Sequence, residues 1–527
     1  MHPAYDESLG DARRDFLETR APKLLLAGNL ALAGLYFAIL AFVFPIGEPI
    51  LFYLLIAGEI FHLSQVAGFI YTVWDTRFTP VSLAASYAGR ALPAVDVFIT
   101  VAGEPAELVR RTIQAAKTMR YPAFSVFVLN DGYVAKKANW REIEALASKL
   151  GVDCITRTIP GGAKAGNINN ALRFTTAPLI ACFDADHAPA ADFLEKTVAY
   201  FADETVAFVQ TPQFYRNADV NYVTKGAWEQ QELFFGPIMK GKNRLNAVPM
   251  CGTNMVIRRA ALAAVGGVAT DSITEDLVTG LRMHAAGYRS VYVPEVLAEG
   301  LAPEDVLTYS KQQFRWARGT LDLIFRYNPL FMRGLSWAQR IQYLASASFY
   351  LSGLVIALDA ALPLLYFYFG IVPVHVDGML LAAVFLPYFF YTLFAIQSVS
   401  NFTYTFSSLG FSMGSFAIQI RAVLGAATRR RAAFAITEKR RQRGNFLFLA
   451  KWHLAYVALF AAGLAVALLR EGLSASLLNN AAWALLNTAV FLPFIRAALP
   501  ERADASAPPA RERERAPERY GIHHRPA

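Results

Sequence analysis

The chain has 527 residues, of which 55% are hydrophobic and only 17% charged, and its formal net charge is +9. It is too long for one ordinary domain and too apolar for a typical soluble one, so a membrane protein is the first expectation. The positive charge forms no stripe suited to nucleic acid, because much of it flanks apolar runs and the tail "RERERAPER" alternates in sign.

Arg13, Arg14, Arg20 and Lys23 precede a first apolar run at about 24–45, and "PIGEP" separates it from a second at about 50–74. Each is long enough to cross a bilayer, which takes roughly 20 residues. The first run exceeds a signal-peptide core and has no A-x-A cleavage site, so it reads as retained. Lys and Arg favour the cytoplasmic side in short loops, which puts the N-terminus and the segment after the second run in the cytoplasm. Glu59 and His62 stand at i, i+3 inside the second run, where ionisable groups mark either a pathway or a buried pairing.

Residues 89–330 are the stretch that reads as a water-soluble domain. Strand-like "VDVFITV" (95–101), "SVFVLND" (125–131), "VDCITR" (152–157) and "PLIACFDAD" (178–186) alternate with helical "AELVRRTIQAAKTM", "REIEALASKL" and "NINNALRFT". This alternation predicts a doubly wound α/β domain with a mainly parallel sheet. Ligands in such sheets bind beyond the carboxyl ends of the strands. Of the three cysteines, Cys154 and Cys182 fall in these apolar runs and read as packing, and no disulfide or metal spacing is present.

Several motifs carry chemistry. "NDG" at 130–132 leaves Asp131 at a strand end, either as ordinary turn chemistry or as an acceptor for a base N–H. "GGAKAGNINNAL" at 161–172 brings backbone N–H groups and Lys164 towards phosphate, although it is no P-loop. "FDADH" at 183–187 sets Asp184 and Asp186 two residues apart as hard ligands for a divalent ion, a pattern that alone also arises by chance. In "DSITEDLVTGL", Ser272 and Glu275 fit an S-x-x-E capping box. Asp276 then falls in the first helical turn, where the dipole is expected to keep it ionised as a base. In "QQFRWARGT" at 312–320, Gln312, Arg315 and Trp316 share one helical face, suited to a sugar phosphate or to anchoring at a membrane surface.

Four further apolar runs follow at about 346–371, 379–398, 452–469 and 476–497, giving about six spans, with Asp359 in the middle of one. "VPVHVDG" carries no Lys or Arg, whereas Arg421, Arg429, Arg430, Arg431, Lys439, Arg440, Arg441 and Arg443 crowd the next connection. Both termini are therefore expected in the cytoplasm. The aromatic "YFYF" and "YFFYTLF" fit either a channel lining or interfacial belts. The chain divides into 1–88 (N-terminus and two spans), 89–330 (the cytoplasmic α/β domain), 331–498 (interface helices, the basic connection and four spans) and a tail at 499–527 expected to be disordered and cytoplasmic.

Taken in order, "LNDG", "FDADHAP", "TED" and "QQFRW" resemble the D, DxD, TED and QxxRW series of the processive family 2 glycosyltransferases, the cellulose-synthase-like and hyaluronan-synthase-like membrane enzymes. "VQTPQFY" at 209–215, "CGTN" at 251–254 and "FAITEK" at 434–439 also look like cellulose synthase segments. The resemblance implies a GT-A domain embedded in a transmembrane bundle of the bacterial inner membrane. The implied enzyme is a metal-dependent, inverting hexosyltransferase that draws on a UDP-sugar, UDP-glucose first. It would extend a β-linked polysaccharide such as cellulose and extrude it.

The resemblance further implies that Thr100, Glu104 and Asp131 hold the nucleoside and Lys164 the diphosphate. Asp184 would lie near the nucleotide, and Asp186 with Asp184 would take Mg²⁺ or Mn²⁺. Asp276, beside Glu275, would be the general base. Gln312, Arg315 and Trp316 would floor the site, Arg315 meeting the leaving diphosphate and Trp316 the acceptor sugar beside Cys251. Phe434, Thr437 and Lys439 would form a gating loop of the FxVTxK type, with Ile in place of Val. Membrane lipid, the growing polysaccharide and a periplasmic accessory subunit are the implied partners.

Some features depart from the family. Bacterial cellulose synthases generally have more spans before the catalytic domain, "TVAGEP" replaces a proline-containing version at Thr100, and the tail is too short for a PilZ domain that binds cyclic-di-GMP. Two other readings compete. One is a non-processive transferase that glycosylates a lipid, as ceramide glucosyltransferases do with related motifs. The other is a transporter or receptor with a degenerate sugar-nucleotide domain, against which the intact Asp184, Asp186, Asp276 and Arg315 speak.

Overall fold

The computed structural model describes residues 21–401, 403–428 and 441–500. Phe434, Thr437 and Lys439, most of the basic connection and the tail therefore lie outside the described residues.

Two long helices, Lys23–Phe42 and Pro49–Val73, lead into the α/β domain. Its strands are β1 (Val95–Val101), β2 (Phe124–Asn130), β3 (Asp153–Thr156), β4 (Leu179–Asp184), β5 (Ala188–Pro189), β6 (Val206–Gln210), β7 (Phe214–Tyr215), β8 (Met255–Arg258), β9 (Arg289–Tyr292) and β10 (Ala298–Gly300). β1 is buried along its whole length, as expected of a parallel strand covered on both faces. On one face Val109, Ile113, Ile143 and Leu146 pack from the helices at 106–117 and 140–149. On the other, Ala165, Ile168 and Ala171 join Ala261 and Leu262 from the helices at 163–171 and 259–264. The domain is thus doubly wound, as the periodicity predicts.

The seven-stranded sheet runs β3-β2-β1-β4-β8-β6-β9. β1 to β4 are mutually parallel, but β8 runs antiparallel to both β4 and β6, so the sheet is mixed. The difference from a mainly parallel sheet arises in the second half. There the chain leaves the sheet for the helices Tyr222–Leu233 and Met239–Arg244 and returns to it as β8. A second, three-stranded sheet, β5-β10-β7, stands beside the carboxyl ends.

Among the described residues, seven helical stretches are long and apolar enough to cross a membrane. Beyond the expected runs there is Phe406–Ala427, which is two helices, Phe406–Gly414 and Phe416–Ala427, joined at Ser415. Gln419 and Arg421 dilute its hydropathy, which hides it from a search for continuous apolar runs. The groups flagged inside the spans are paired with one another. His62 lies 3.8 Å from both Glu59 and Asp359, and Tyr36 donates to Glu59 at 3.0 Å.

The α/β domain and the helical bundle interlock. Glu229 accepts from the hydroxyls of Thr405 (2.5 Å) and Ser408, while Lys242 donates to Gln342 and Ser346. The helix Val306–Phe325, which carries "QQFRWARGT", starts at Asp305, whose carboxylate caps the Thr308 N–H at 2.8 Å. Its Ala317 and Leu321 bury against Ala422, Val423 and Ala426 of the Phe416–Ala427 helix. It is therefore shared between the soluble domain and the membrane bundle.

Candidate active site

The strand order reverses between β1 and β4, and this switch point leaves Thr100 and Asp184 side by side in register. A cleft of about 360 Å³ opens there. Thr100, Glu104, Asp131, Lys164, Asp184, Asp186, Cys251, Glu275, Asp276, Gln312, Arg315 and Trp316 all line it. These residues, from seven separate stretches of sequence, thus meet in one cavity.

At the β1–β2 end, the Thr100 hydroxyl lies 3.3 Å from Asp184 Oδ1, tying the two strand ends together. Glu104 folds back so that Oε2 accepts the Ala102 N–H at 2.6 Å. Burial pushes its carboxyl above the usual range despite that bond, and Asp186 and Asp184 add to the rise. Asp131 receives the fork of Arg157, Nε on Oδ1 at 2.7 Å and Nη2 on Oδ2 at 2.6 Å.

Lys164 reaches across the cleft floor from the glycine turn. Its ammonium donates to Asp184 Oδ1 and, at 2.8 Å, to the Gly252 carbonyl. Burial works to lower its pKa, but Asp184, Glu275 and Asp276 outweigh it and leave the pKa raised. Burial works to raise the Asp184 carboxyl, and Lys164 overcomes it, so that one is lowered. The Asp184 N–H donates to Thr253 Oγ1 at 2.9 Å, so "CGTN" holds the first aspartate of "DAD" in place.

Ligand atoms of Asp184, Asp186 and His187 lie within 4.8 Å of one another. Both His187 ring nitrogens are buried without a hydrogen-bond partner among the described residues. Two hard carboxylates with an imidazole whose Nδ1 lies 3.5 Å from Asp186 Oδ1 suit a divalent cation.

The "TED" turn differs from its expected form. The helix is Glu275–Ala285, with Thr274 as N-cap and no side-chain cap. Glu275 is therefore the first helical residue rather than the third, and it cannot close a capping box. Ser272 Oγ instead accepts from the Thr274 N–H at 3.2 Å. Asp276 does lie in the first turn, its Oδ1 accepting the Leu277 N–H at 2.8 Å. The expectation that the helix dipole governs its charge is overridden, because burial raises the Asp276 pKa against Leu277, Lys164 and Arg315. Burial and Asp276 together push Glu275 up to about 7. The two carboxyls behave as a pair.

Two glycines make the close approaches possible. Gly252 sits at φ +79°, and a Cβ there would stand 2.8 Å from Asp276 Oδ2, so "CGTN" lies directly under the carboxylate. Gly319, one turn beyond Arg315, packs bare backbone against Thr274. Cys251 sits beside them, its N–H held by Gln210 Oε1 at 2.9 Å. Burial and then Asp276 push its thiol well up, away from nucleophilic character.

Arg157, Asn167, His187, Gln213 and Tyr215 also line the cleft and were not singled out from sequence. His187 adjoins "DAD" and Asn167 lies within the glycine-turn segment, so position along the chain hinted at both. Nothing local marks Arg157, whose partner Asp131 is 26 residues away.

Residues 93–319 match the family model described as Glycosyltransferase like family 2, and residues 263–413 the one described as Cellulose synthase. The UDP-forming cellulose synthase catalytic subunit of Pseudomonas fluorescens is 37% identical over 344 residues, covering 64% of this chain and 46% of that protein. Its counterpart in Xanthomonas axonopodis pv. citri is 38% identical over 286 residues, covering 53% and 38%. The chain thus spans less than half the length of these relatives. Among solved structures, a mannosyltransferase of Pyrobaculum calidifontis in complex with GDP-Man and Mn2+ aligns with a TM-score of 0.50 at 18% identity. The alignment covers 72% of this chain and 100% of that one, a likeness of fold and of the GT-A kind.

Proposed function

Across residues 93–413 this chain is a family 2 glycosyltransferase of the cellulose synthase type, and on that premise we propose that it is a membrane-embedded, processive, inverting hexosyltransferase. It uses a UDP-sugar, UDP-glucose first, to lengthen a β-linked glucan that leaves through the membrane bundle. The observation that carries this reading is the meeting, in one cleft, of the nucleotide-side acids, the "TED" carboxylates and the "QQFRW" face, on a helix that is also packed into the bundle. A site so placed delivers product directly to the spans.

Asp131, with Thr100 and Glu104 nearby, receives the nucleoside, and Lys164 meets the diphosphate. Asp186, with His187 and Asp184, would hold Mg²⁺ or Mn²⁺, which neutralises diphosphate charge when bound. Asp276 takes the proton from the acceptor hydroxyl as its oxygen bonds to the anomeric carbon. The bond from that carbon to the diphosphate oxygen breaks on the opposite face, which inverts the centre. Arg315 and Lys164 receive the charge that develops on the leaving diphosphate. Trp316 stacks on the acceptor sugar beside Cys251, and Gln312 completes the floor. The catalytic domain and both termini face the cytoplasm of a bacterial cell, with the spans in its inner membrane.

The test is product analysis. Membranes containing the protein are supplied with labelled UDP- and GDP-sugars, and products are resolved by chromatography and linkage analysis. A β-linked polymer made from UDP-glucose supports the reading, and a product limited to one sugar on a lipid sinks processivity.

A further inference from the structure

We propose that Gln210 is a positioning residue for the transfer step: from behind the cleft its amide grips the turn Cys251–Asn254 and so sets Lys164, Asp184 and Asp276 against one another. The proposal rests on the glycosyltransferase reading above and adds to it a residue that touches no substrate.

The turn Cys251–Asn254 meets three groups of the site. The Gly252 carbonyl accepts from Lys164 Nζ at 2.8 Å, and Thr253 Oγ1 accepts the Asp184 N–H at 2.9 Å. Gly252 also lies so close under Asp276 that a Cβ on it would stand 2.8 Å from Oδ2. One short turn thus spaces the diphosphate-side cation, the first aspartate of "DAD" and the base. Its backbone does not favour this shape unaided. Gly252 at φ +79° and Asn254 at φ +54° are both left-handed, a conformation that glycine adopts freely and asparagine only at a cost. The turn therefore has to be held.

Gln210, the last residue of β6, holds it. The side chain is fully buried and does not line the cleft. Its Oε1 accepts the Cys251 N–H at 2.9 Å, while Nε2 donates to the Thr253 carbonyl at 2.8 Å and to the Thr211 carbonyl at 2.9 Å. Cys251 offers a donor and Thr253 a carbonyl, so the amide has one orientation and bonds on both sides of Gly252. The neighbouring contacts each reach one side. The Thr211 N–H and Oγ1 both bond the Asn254 carbonyl at 3.0 Å, Asn254 Nδ2 bonds the Pro212 carbonyl at 3.0 Å, and Gln213 Nε2 bonds the Cys251 carbonyl at 3.0 Å. A methionine in place of Gln210 fills similar volume but leaves the Cys251 N–H and the Thr253 carbonyl buried without their amide partner. The turn then relaxes, and the spacing of Lys164, Asp184 and Asp276 relaxes with it.

The experiment uses the full chain in membranes and compares the parent with Gln210→Met, Thr253→Ala and the two combined. Turnover of UDP-glucose is expressed per site that binds labelled UDP, so that unfolded molecules do not count. In Gln210→Met, kcat per site should fall on the order of ten- to a hundredfold, the scale of a misplacement of about 1 Å. UDP affinity should change far less, because Asp131 and Asp186 are held by Arg157 and by the Leu301 N–H rather than by this turn. Thr253→Ala cuts the link from the turn to Asp184, so it should also slow transfer. The combined variant should be no slower than the worse single one, since both lose the same alignment. Gln210→Glu keeps the acceptor for Cys251 but loses the paired amide donors, and it replaces Gln210→Met should that variant retain too few UDP sites to measure. Parental kcat per site, with the number of sites alone reduced, overturns the proposal, and so do losses that multiply in the combined variant. A parent that transfers no glucose from UDP-glucose sinks the donor reading instead, a result distinct from an active parent whose Gln210→Met sites turn over equally fast.

Discussion

Replacing Gly319 with alanine tests whether the "TED" turn and the "QQFRW" helix act as one rigid unit. A Cβ at residue 319 would stand 2.6 Å from Thr274 Oγ1 and 2.9 Å from Thr274 Cβ, with the methyl group nearer still. Ordinary contact lies near 3.5 Å, so the two backbones must part by roughly 1 Å. The helix cannot simply roll away, since Ala317 and Leu321 are clamped by Ala422, Val423 and Ala426 on another side. Overpacking of this kind costs about 1–3 kcal/mol of stability. The larger effect is on rate, because Thr274 is two residues from Asp276 and Gly319 is one turn from Arg315. A misplacement of about 1 Å between base and leaving-group cation reduces turnover on the order of a hundredfold. Initial rates of sugar transfer in membranes should show that fall in kcat, with much less change in inhibition by UDP. Thr274→Ala in the Gly319→Ala background removes the two closest atoms and should restore part of the rate. Gly319→Ala enzyme with parental kcat, or a loss that Thr274→Ala leaves untouched, would refute the reasoning.

Other outcomes follow from the same geometry. Asp276→Asn keeps shape but removes the base, so sugar transfer should be lost while UDP binding, measured by competition, persists; sustained turnover would rule Asp276 out as base. Because Glu275 is raised from 4.5 to about 7 and Asp276 is raised beside it, transfer should climb as pH rises through that region. Stability should move the other way: folded protein holds protons that the unfolded chain has released, so this contribution is full below about 4.5 and is lost as pH passes 7. A rate profile that is flat between pH 5 and 8, roughly the window that spans both states, would remove the pair from the chemistry. Chelation should abolish transfer and added Mg²⁺ or Mn²⁺ restore it, with Asp186→Ala losing that response; full activity in excess chelator would dismiss the metal site.

Much of this protein is written locally. Long apolar runs declare the spans because a bilayer offers no partner for polar backbone, and alternating periodicities declare the doubly wound half of the sheet. The motif residues sit at strand ends and in helix first turns, and so the sequence alone marks Asp131, Asp184, Asp186, Asp276 and Arg315 as candidates. Where they go depends on contacts between distant segments. The antiparallel insertion of β8 beside β4 brings Gly252 under Asp276, and no short-range pattern encodes which strand a returning segment will pair with. The capping box at Ser272 was a valid local possibility that burial of Glu275 in the cleft displaced. Desolvation, which exists only once neighbours have closed around a group, reversed the charge behaviour that the helix dipole alone suggested for Asp276. Residue identity and spacing thus determined which chemistry is available, and the tertiary structure decided which groups share a field, because electrostatics and packing act through space rather than along the chain.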